Sequence, residues 1–257
     1  MRVTVCELPH DAAALEDAWA ELCAHTWREQ SELVLLPEFG MVEPVWEHEA
    51  FDAARWARAE VLSERWMELL GELHAQDVVG TRPRSVGEAR YNEGFHWSAV
   101  GGVRPLRRKY FMPNEPGGWE GRWFDRGDPV FPAFRAGPLS FGLNICTELW
   151  ALETYAGYAD QGVELILSPR ATGAATRAKW LAAGTVAAVR SGAFSVSSNR
   201  VEPSGVCGGM GWIVAPSGEV LATTSAEMPF ATVELDLREA ATASERYPGY
   251  VFRGAGG

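Results

Sequence analysis

The stretch ELVLLPEFG contains four consecutive apolar residues, Leu33 to Leu36, with no polar face. Successive residues of a β-strand point to opposite sides, so a strand apolar at every position must be covered on both faces. VELILSP, at 163–169, has the same character. Helical patterns separate such runs. Ala14, Leu15, Ala18, Trp19 and Leu22 recur at three- and four-residue spacing within 11–30, as do Trp56, Leu62, Trp66, Leu69 and Leu73 within 51–76. Further strands are expected at Val3–Leu8, at DVVG with FHWSAVGGV as partner, at LSFGLNIC, at AFSVSSNRV and at ATVELDL. Helices are expected at ELWALETYAGYAD and RAKWLAAGTVAAVRSG, and a β-hairpin at GWIVAPSGEVLA turning at Pro216–Gly218. Residues 101–140 are rich in turn signals and read as loop. The alternation predicts an α/β architecture with a largely parallel sheet. No repeat, linker or shift in composition divides the chain, so one domain over 1–257 is expected. The tail, 240–257, lacks periodicity and reads as wrapping a partner or as disordered.

Composition narrows the function. A formal net charge of −11 argues against a nucleic-acid partner or an anionic membrane surface, since both are held by clustered Lys and Arg. No apolar stretch reaches the length of a membrane span, and MRVTVCELPH lacks the features of a signal peptide, so the cytoplasm is the expected compartment. The four cysteines are widely spaced and the five histidines scattered, so neither a disulfide framework, nor a metal site, nor a cofactor is expected.

In open α/β sheets reactive groups gather beyond the carboxyl ends of strands. Glu38 follows the strand LVLLP, and Cys146 follows LSFGLNI at the start of a predicted helix. Each has an ordinary reading: a buried cysteine is most often a small hydrophobe, a strand-end glutamate a helix cap, and Lys109 a solvated loop charge. Together they suit one chemistry. A thiol nucleophile needs a base, for which Glu38 serves, and its tetrahedral intermediate needs a fixed positive charge, for which Lys109 serves. A second carboxylate would hold that lysine in place.

These segments resemble the nitrilase, or carbon–nitrogen hydrolase, superfamily, whose signature is a Glu–Lys–Cys triad in that chain order. LVLLPEFG is similar to the strand ending in the family's glutamate, RRKYFMPNEPGGWEGRWFDRGD to its lysine segment, and FGLNICTELWALE to its nucleophile segment. The resemblance implies Glu38, Lys109 and Cys146 as the triad, with Glu120 the further glutamate about eleven residues after the lysine. It extends through GVELILSPRATG, AAVRSGAFSVSSNRV and GWIVAPSGEVLA, effectively over the whole chain. It implies a four-layer αββα sandwich that pairs into homodimers or larger homo-oligomers. Three positions depart from the family: Thr147 replaces an aromatic residue, Phe111 replaces a common histidine, and Glu148 stands where many amidases have Asp and nitrilases often Glu.

The resemblance implies an attack by Cys146 on an amide, N-carbamoyl or nitrile carbon, with Lys109 and the Thr147 backbone N–H stabilising the oxyanion. A small amide or N-carbamoyl compound is the expected substrate. A nitrilase (from Glu148), an acyltransferase using the same thioester, and a catalytically silent binding protein on the same scaffold are the alternatives. Glu148, Trp119, Trp150, Arg170 and Thr172 are candidate substrate contacts. For the tryptophans an aromatic pocket competes with core packing. For Arg170 a bidentate grip on a substrate carboxylate competes with a surface or intrachain ion pair.

Overall fold

The computed structural model describes residues 1–243 and 245–252. In chain order its elements are β1 (Arg2–Leu8), α1 (Ala12–Glu29), β2 (Leu33–Leu35), α2 (Ala53–Glu68), β3 (Asp77–Val86), β4 (Ala89–Ser98) and β5 (Gly102–Arg108). There follow α3 (Glu120–Trp123), β6 (Phe134–Ala136), β7 (Leu139–Leu143), α4 (Thr154–Asp160), β8 (Leu165–Arg170), α5 (Arg177–Ser191) and β9 (Phe194–Arg200). The last are β10 (Trp212–Val214), β11 (Val220–Thr223), β12 (Phe230–Glu234), α6 (Arg238–Ala243) and α7 (Gly249–Phe252).

The strands follow the path β5-β4-β3-β2-β1-β9-β8-β7-β6, with β12 on β1 and the β10–β11 hairpin on β9. β1 joins two halves. Val3–Val5 pairs with Leu33–Leu35 of β2, whereas Glu7 and Leu8 pair with Asn199 and Arg200 of β9. Side-chain alternation then builds one apolar core between the sheets and one outside each sheet, and therefore four layers. Val3, Val5, Leu33, Leu35, Leu143, Leu165 and Leu167 fill the space between the sheets. Val34, Leu36 and Val78 point the other way, onto Leu15, Trp19, Leu22 and Met67 of α1 and α2. Ile166, Trp212 and Val214 meet Tyr155, Tyr158, Ala183 and Ala187 of α4 and α5. Each fully buried Leu or Val contributes about 1.5–3 kcal/mol. This is the αββα sandwich that the family resemblance implies.

Three expectations are corrected. The sheet is mixed: β1–β2–β3 and β1–β9–β8–β7 are parallel, but β3–β4–β5, β6–β7, β12 on β1 and β10 on β9 are antiparallel. Hairpins need only a tight turn, which Gly87, at φ 60°, supplies between β3 and β4. The segment read as loop contains β5. Finally, the helix after LSFGLNIC is broken into a 3₁₀ turn, Cys146–Trp150, and α4. Side chains cause the break. Asn144 Nδ2 donates to the Glu148 carbonyl (2.8 Å) and the Tyr155 hydroxyl to the Leu149 carbonyl, engaging acceptors that a continuous α-helix would use.

No described helix is long and apolar enough to cross a membrane. Of the tail, α6 and α7 carry its described part; residues 253–257 lie outside the described residues.

Candidate active site

Glu38 stands just beyond β2, in a loop fixed from three sides. Its own N–H donates to the Arg170 carbonyl (3.2 Å), at the end of β8. The Phe39 N–H donates to Thr81 Oγ1 (2.9 Å). Arg200, at the end of β9, donates through Nη1 to the carbonyls of Phe39 and Val42. Phe39 adopts φ 49°, a conformation that L-residues rarely keep unless their surroundings impose it.

Lys109 is delivered by β5. Its N–H donates to the Asn92 carbonyl (2.9 Å), and its carbonyl accepts from Gly127 N–H (3.0 Å). Only glycine permits that approach, because a Cβ on residue 127 would lie 2.3 Å from the Arg108 carbonyl oxygen. The Lys109 side chain is wholly buried, and Nζ donates to Glu38 Oε1 (2.8 Å) and Glu120 Oε1 (2.7 Å). Asn92 Nδ2 also donates to Glu38 Oε1 (2.8 Å). Among the described residues, Glu38 Oε2 and Glu120 Oε2 are buried without a hydrogen-bond partner. Unpaired buried oxygens are costly, so a site that keeps two of them is arranged for a guest or a proton.

Cys146 opens the 3₁₀ turn after β7 at φ 49°, buried and 4% exposed. Glu148 holds this turn against the lysine strand. Its carboxylate accepts from Ile145 N–H (2.9 Å), Tyr110 N–H (2.7 Å) and both terminal nitrogens of Arg107. One carboxylate thus registers the residue before Cys146 to the residue after Lys109.

The charges interact strongly. Burial alone would lower the Lys109 ammonium, but Glu120 and Glu38 outweigh it and the group is held above its usual value, fully charged. Burial pushes Glu120 up to about 8, opposed by Lys109 and reinforced by Glu38. The Cys146 thiol is held well above its usual value by burial and by Glu38, while Lys109 and the Ala171 amide pull it down. Resting Cys146 is therefore a thiol, and it needs a base at the moment of attack.

The structure brings Glu38, Lys109, Glu120 and Cys146 into one electrostatically linked cluster, with Thr147 next to Cys146 in the turn. Other candidates are placed differently. The Glu148 carboxylate is enclosed by Arg107 and three backbone amides, which accounts for it without a substrate. Arg170 is fully buried, not in an ion pair, and donates to Ser197 Oγ (2.7 Å), Thr172 Oγ1 (2.7 Å) and the Met210 carbonyl. Among the described residues no acidic side chain forms an ion pair with it, so the ion-pair reading does not hold. Thr172 serves as one of its acceptors, and its N–H donates to Asn199 Oδ1 (2.9 Å). Trp119 packs beside Phe39 and Trp46, with its N–H on the Trp46 carbonyl (2.9 Å). Trp150 is half-exposed against Trp180, with centroids 5.3 Å apart. Sequence reasoning missed Asn92, Arg107, Ala171 and Arg200. Only Arg200 carried a signal, as a charged residue inside the strand pattern AFSVSSNRV.

The sequence matches the carbon-nitrogen hydrolase family over residues 2–244, and the chain belongs to that family. It is similar to N-carbamoylputrescine amidases. That of Oryza sativa subsp. japonica is 29% identical over 150 residues, 52% of this chain and 50% of the rice protein. That of Solanum lycopersicum is 34% identical over 85 residues, 33% of this chain and 28% of the tomato protein. The match thus spans about half the length of the rice relative, or less for tomato. Among solved structures, a carbon-nitrogen hydrolase from Helicobacter pylori G27 superposes with a TM-score of 0.86 at 19% identity, covering 99% of this chain and 95% of the other. A mutant of the amidase from Nesterenkonia sp. AN1, captured with the acetamide moiety of fluoroacetamide added at its active-site cysteine, superposes with a TM-score of 0.76 at 19% identity over 98% and 95%.

Proposed function

We propose that this protein hydrolyses the carbon–nitrogen bond of a small amide or N-carbamoyl compound, using Cys146 as nucleophile, Glu38 as general base and Lys109 as electrostatic stabiliser. The observation that carries this reading is the buried Lys109 bridging Glu38 and Glu120, with one oxygen of each carboxylate left unpartnered.

Glu38 takes the Cys146 proton as sulfur bonds to the carbonyl carbon and the C=O electron pair moves to oxygen. Lys109 and the Thr147 N–H, an early amide of the 3₁₀ turn without an intrahelical acceptor, hold the oxyanion. The intermediate collapses, the C–N bond breaks, and Glu38 returns its proton to the departing ammonia or amine. A thioester remains. Water, deprotonated by Glu38, adds to it; the C–S bond then breaks, releasing the acid and restoring the thiol. Glu120 keeps Lys109 oriented throughout.

The names of the plant relatives support an N-carbamoyl substrate, and that of the Nesterenkonia structure an amide. The nitrile alternative rested on Glu148, whose carboxylate is occupied by Arg107 and the backbone. The silent scaffold is disfavoured because a protein without chemistry has little reason to bury an ammonium between two half-satisfied carboxyl groups.

Ammonia release from matched aliphatic amides, N-carbamoyl amines and nitriles tests the assignment. Release from the first two classes but not from nitriles, lost in Cys146→Ala, is the expected result. Turnover undiminished in Cys146→Ala overturns it.

A further inference from the structure

Asn92, on β4, touches the base and the lysine at once. Its side-chain Nδ2 donates to Glu38 Oε1 (2.8 Å), and its carbonyl accepts from Lys109 N–H (2.9 Å). Strand register explains the placement. Glu93 lies opposite Arg108, so Asn92 lies opposite Lys109, and opposed residues of an antiparallel pair share a face. The pairing slips between Glu93 and Phe95, where β5 carries one residue more than β4. Without that bulge Lys109 would be displaced by one position, and its side chain would leave on the opposite face.

The Asn92 amide fits in one orientation. Glu38 Oε1 accepts from Lys109 Nζ, so the amide atom that also meets it is the nitrogen, and the amide oxygen is turned elsewhere. That oxygen is buried with no hydrogen-bond partner among the described residues. An orphaned buried acceptor costs as much as an ordinary hydrogen bond returns, or more, so for stability alone an apolar residue would serve this position as well. What an apolar residue lacks is the donor toward Glu38.

Two donors therefore meet on one oxygen. Lys109 Nζ and Asn92 Nδ2 each lie 2.8 Å from Glu38 Oε1, which fills the two lone-pair directions of that atom. Oε2 has no partner among the described residues. The carboxyl group has one occupied end and one open end.

We propose that Asn92 is a positioning residue for the general base: together with Lys109 it occupies Oε1 of Glu38, so that Oε2 is the oxygen that takes the Cys146 proton. This rests on Glu38 being the base for Cys146. In that step the S–H bond breaks, an O–H bond forms at Oε2, and the electron pair left on sulfur forms the bond to carbon. The same oxygen returns the proton to the departing nitrogen.

The test compares kcat and KM for Asn92→Leu, Glu38→Gln and the double variant, each corrected for its folded fraction by circular dichroism. Asn92→Leu deletes the donor but leaves the backbone bond to Lys109 N–H. It should lower kcat about 10- to 10²-fold, the range for a misplaced catalytic group, with KM changed by less than about threefold. In the Glu38→Gln background the same substitution should cost less than about twofold, because the group it positions can no longer take a proton. A purely structural role predicts kcat per folded molecule unchanged, or equal losses in both backgrounds. Either result, with Glu38→Gln itself slow, overturns the proposal and leaves the base in place. Glu38→Gln turning over like wild type overturns the base assignment, and this inference with it. If Asn92→Leu does not fold, Asn92→Ala removes the same donor without added bulk and is read by the same criteria.

Discussion

Lys109 Nζ lies 2.8 Å from Glu38 Oε1 in a place where neither side chain meets solvent. Those residues are 71 positions apart in the chain; β2 and β5, with β3 and β4 between them, run in the same direction and release them at the same end of the sheet. The same ammonium donates to Glu120, so removing it leaves two buried carboxyl groups without their shared donor.

Lys109→Met should therefore lose activity and stability together. Loss of an oxyanion-stabilising group costs about 10²–10³-fold in rate, and breaking a buried ion pair by removing one partner costs about 3–5 kcal/mol. Steady-state turnover and urea unfolding of the same preparation measure both. An active, equally stable variant would contradict the assignment.

Glu38→Gln separates the two effects. The amide can still accept from Lys109 and Asn92 but cannot take the Cys146 proton. Turnover should fall by at least about 10²-fold while the circular dichroism spectrum is kept.

Glu120 gives a pH dependence of definite sign. Burial raises its carboxyl from 4.5 to about 8, so between those values the native state holds a proton that the unfolded chain has released. Stability from this group is present below about pH 4.5 and is lost as pH rises towards about 8. Thermal unfolding across that range should show a downward slope that Glu120→Gln flattens. An unchanged slope would mean that Glu120 is not held protonated by the fold.

Gly142→Ala tests the seat of the nucleophile strand. A Cβ there would lie 2.6 Å from Tyr158 Cζ, with ring carbons at 2.7 and 2.8 Å. Overpacking of this kind costs about 1–3 kcal/mol. Because β7 leads directly into the Cys146 turn, activity should fall as well. Chemical denaturation and turnover give the two numbers.

Much of the fold was legible because its signals are local. LVLLP and VELILSP declare strands covered on both faces, and the periodicity of 11–30 and 51–76 declares the helices behind them. The order Glu38, Lys109, Cys146 was legible through resemblance. What remained hidden depends on partners distant in the chain. Nothing near Glu148 announces that it pairs with Arg107, 41 residues earlier, or that Asn144 and Tyr155 break the helix after Cys146. Within SPRATG, Arg170 reads as a grip on a carboxylate or a member of an ion pair, yet it closes β8 and turns into the layer under α5. The hairpins that make the sheet mixed were equally hard to see, since a strand's pattern does not reveal its partner's direction.

The most direct test of the central claim is intact-protein mass spectrometry after brief mixing with amides and N-carbamoyl compounds, followed by peptide mapping. The account predicts an acyl adduct on Cys146 that disappears as ammonia or amine and acid accumulate, and that Cys146→Ala never forms. An adduct confined to Cys6, Cys23 or Cys207, or steady product formation by Cys146→Ala, would contradict it.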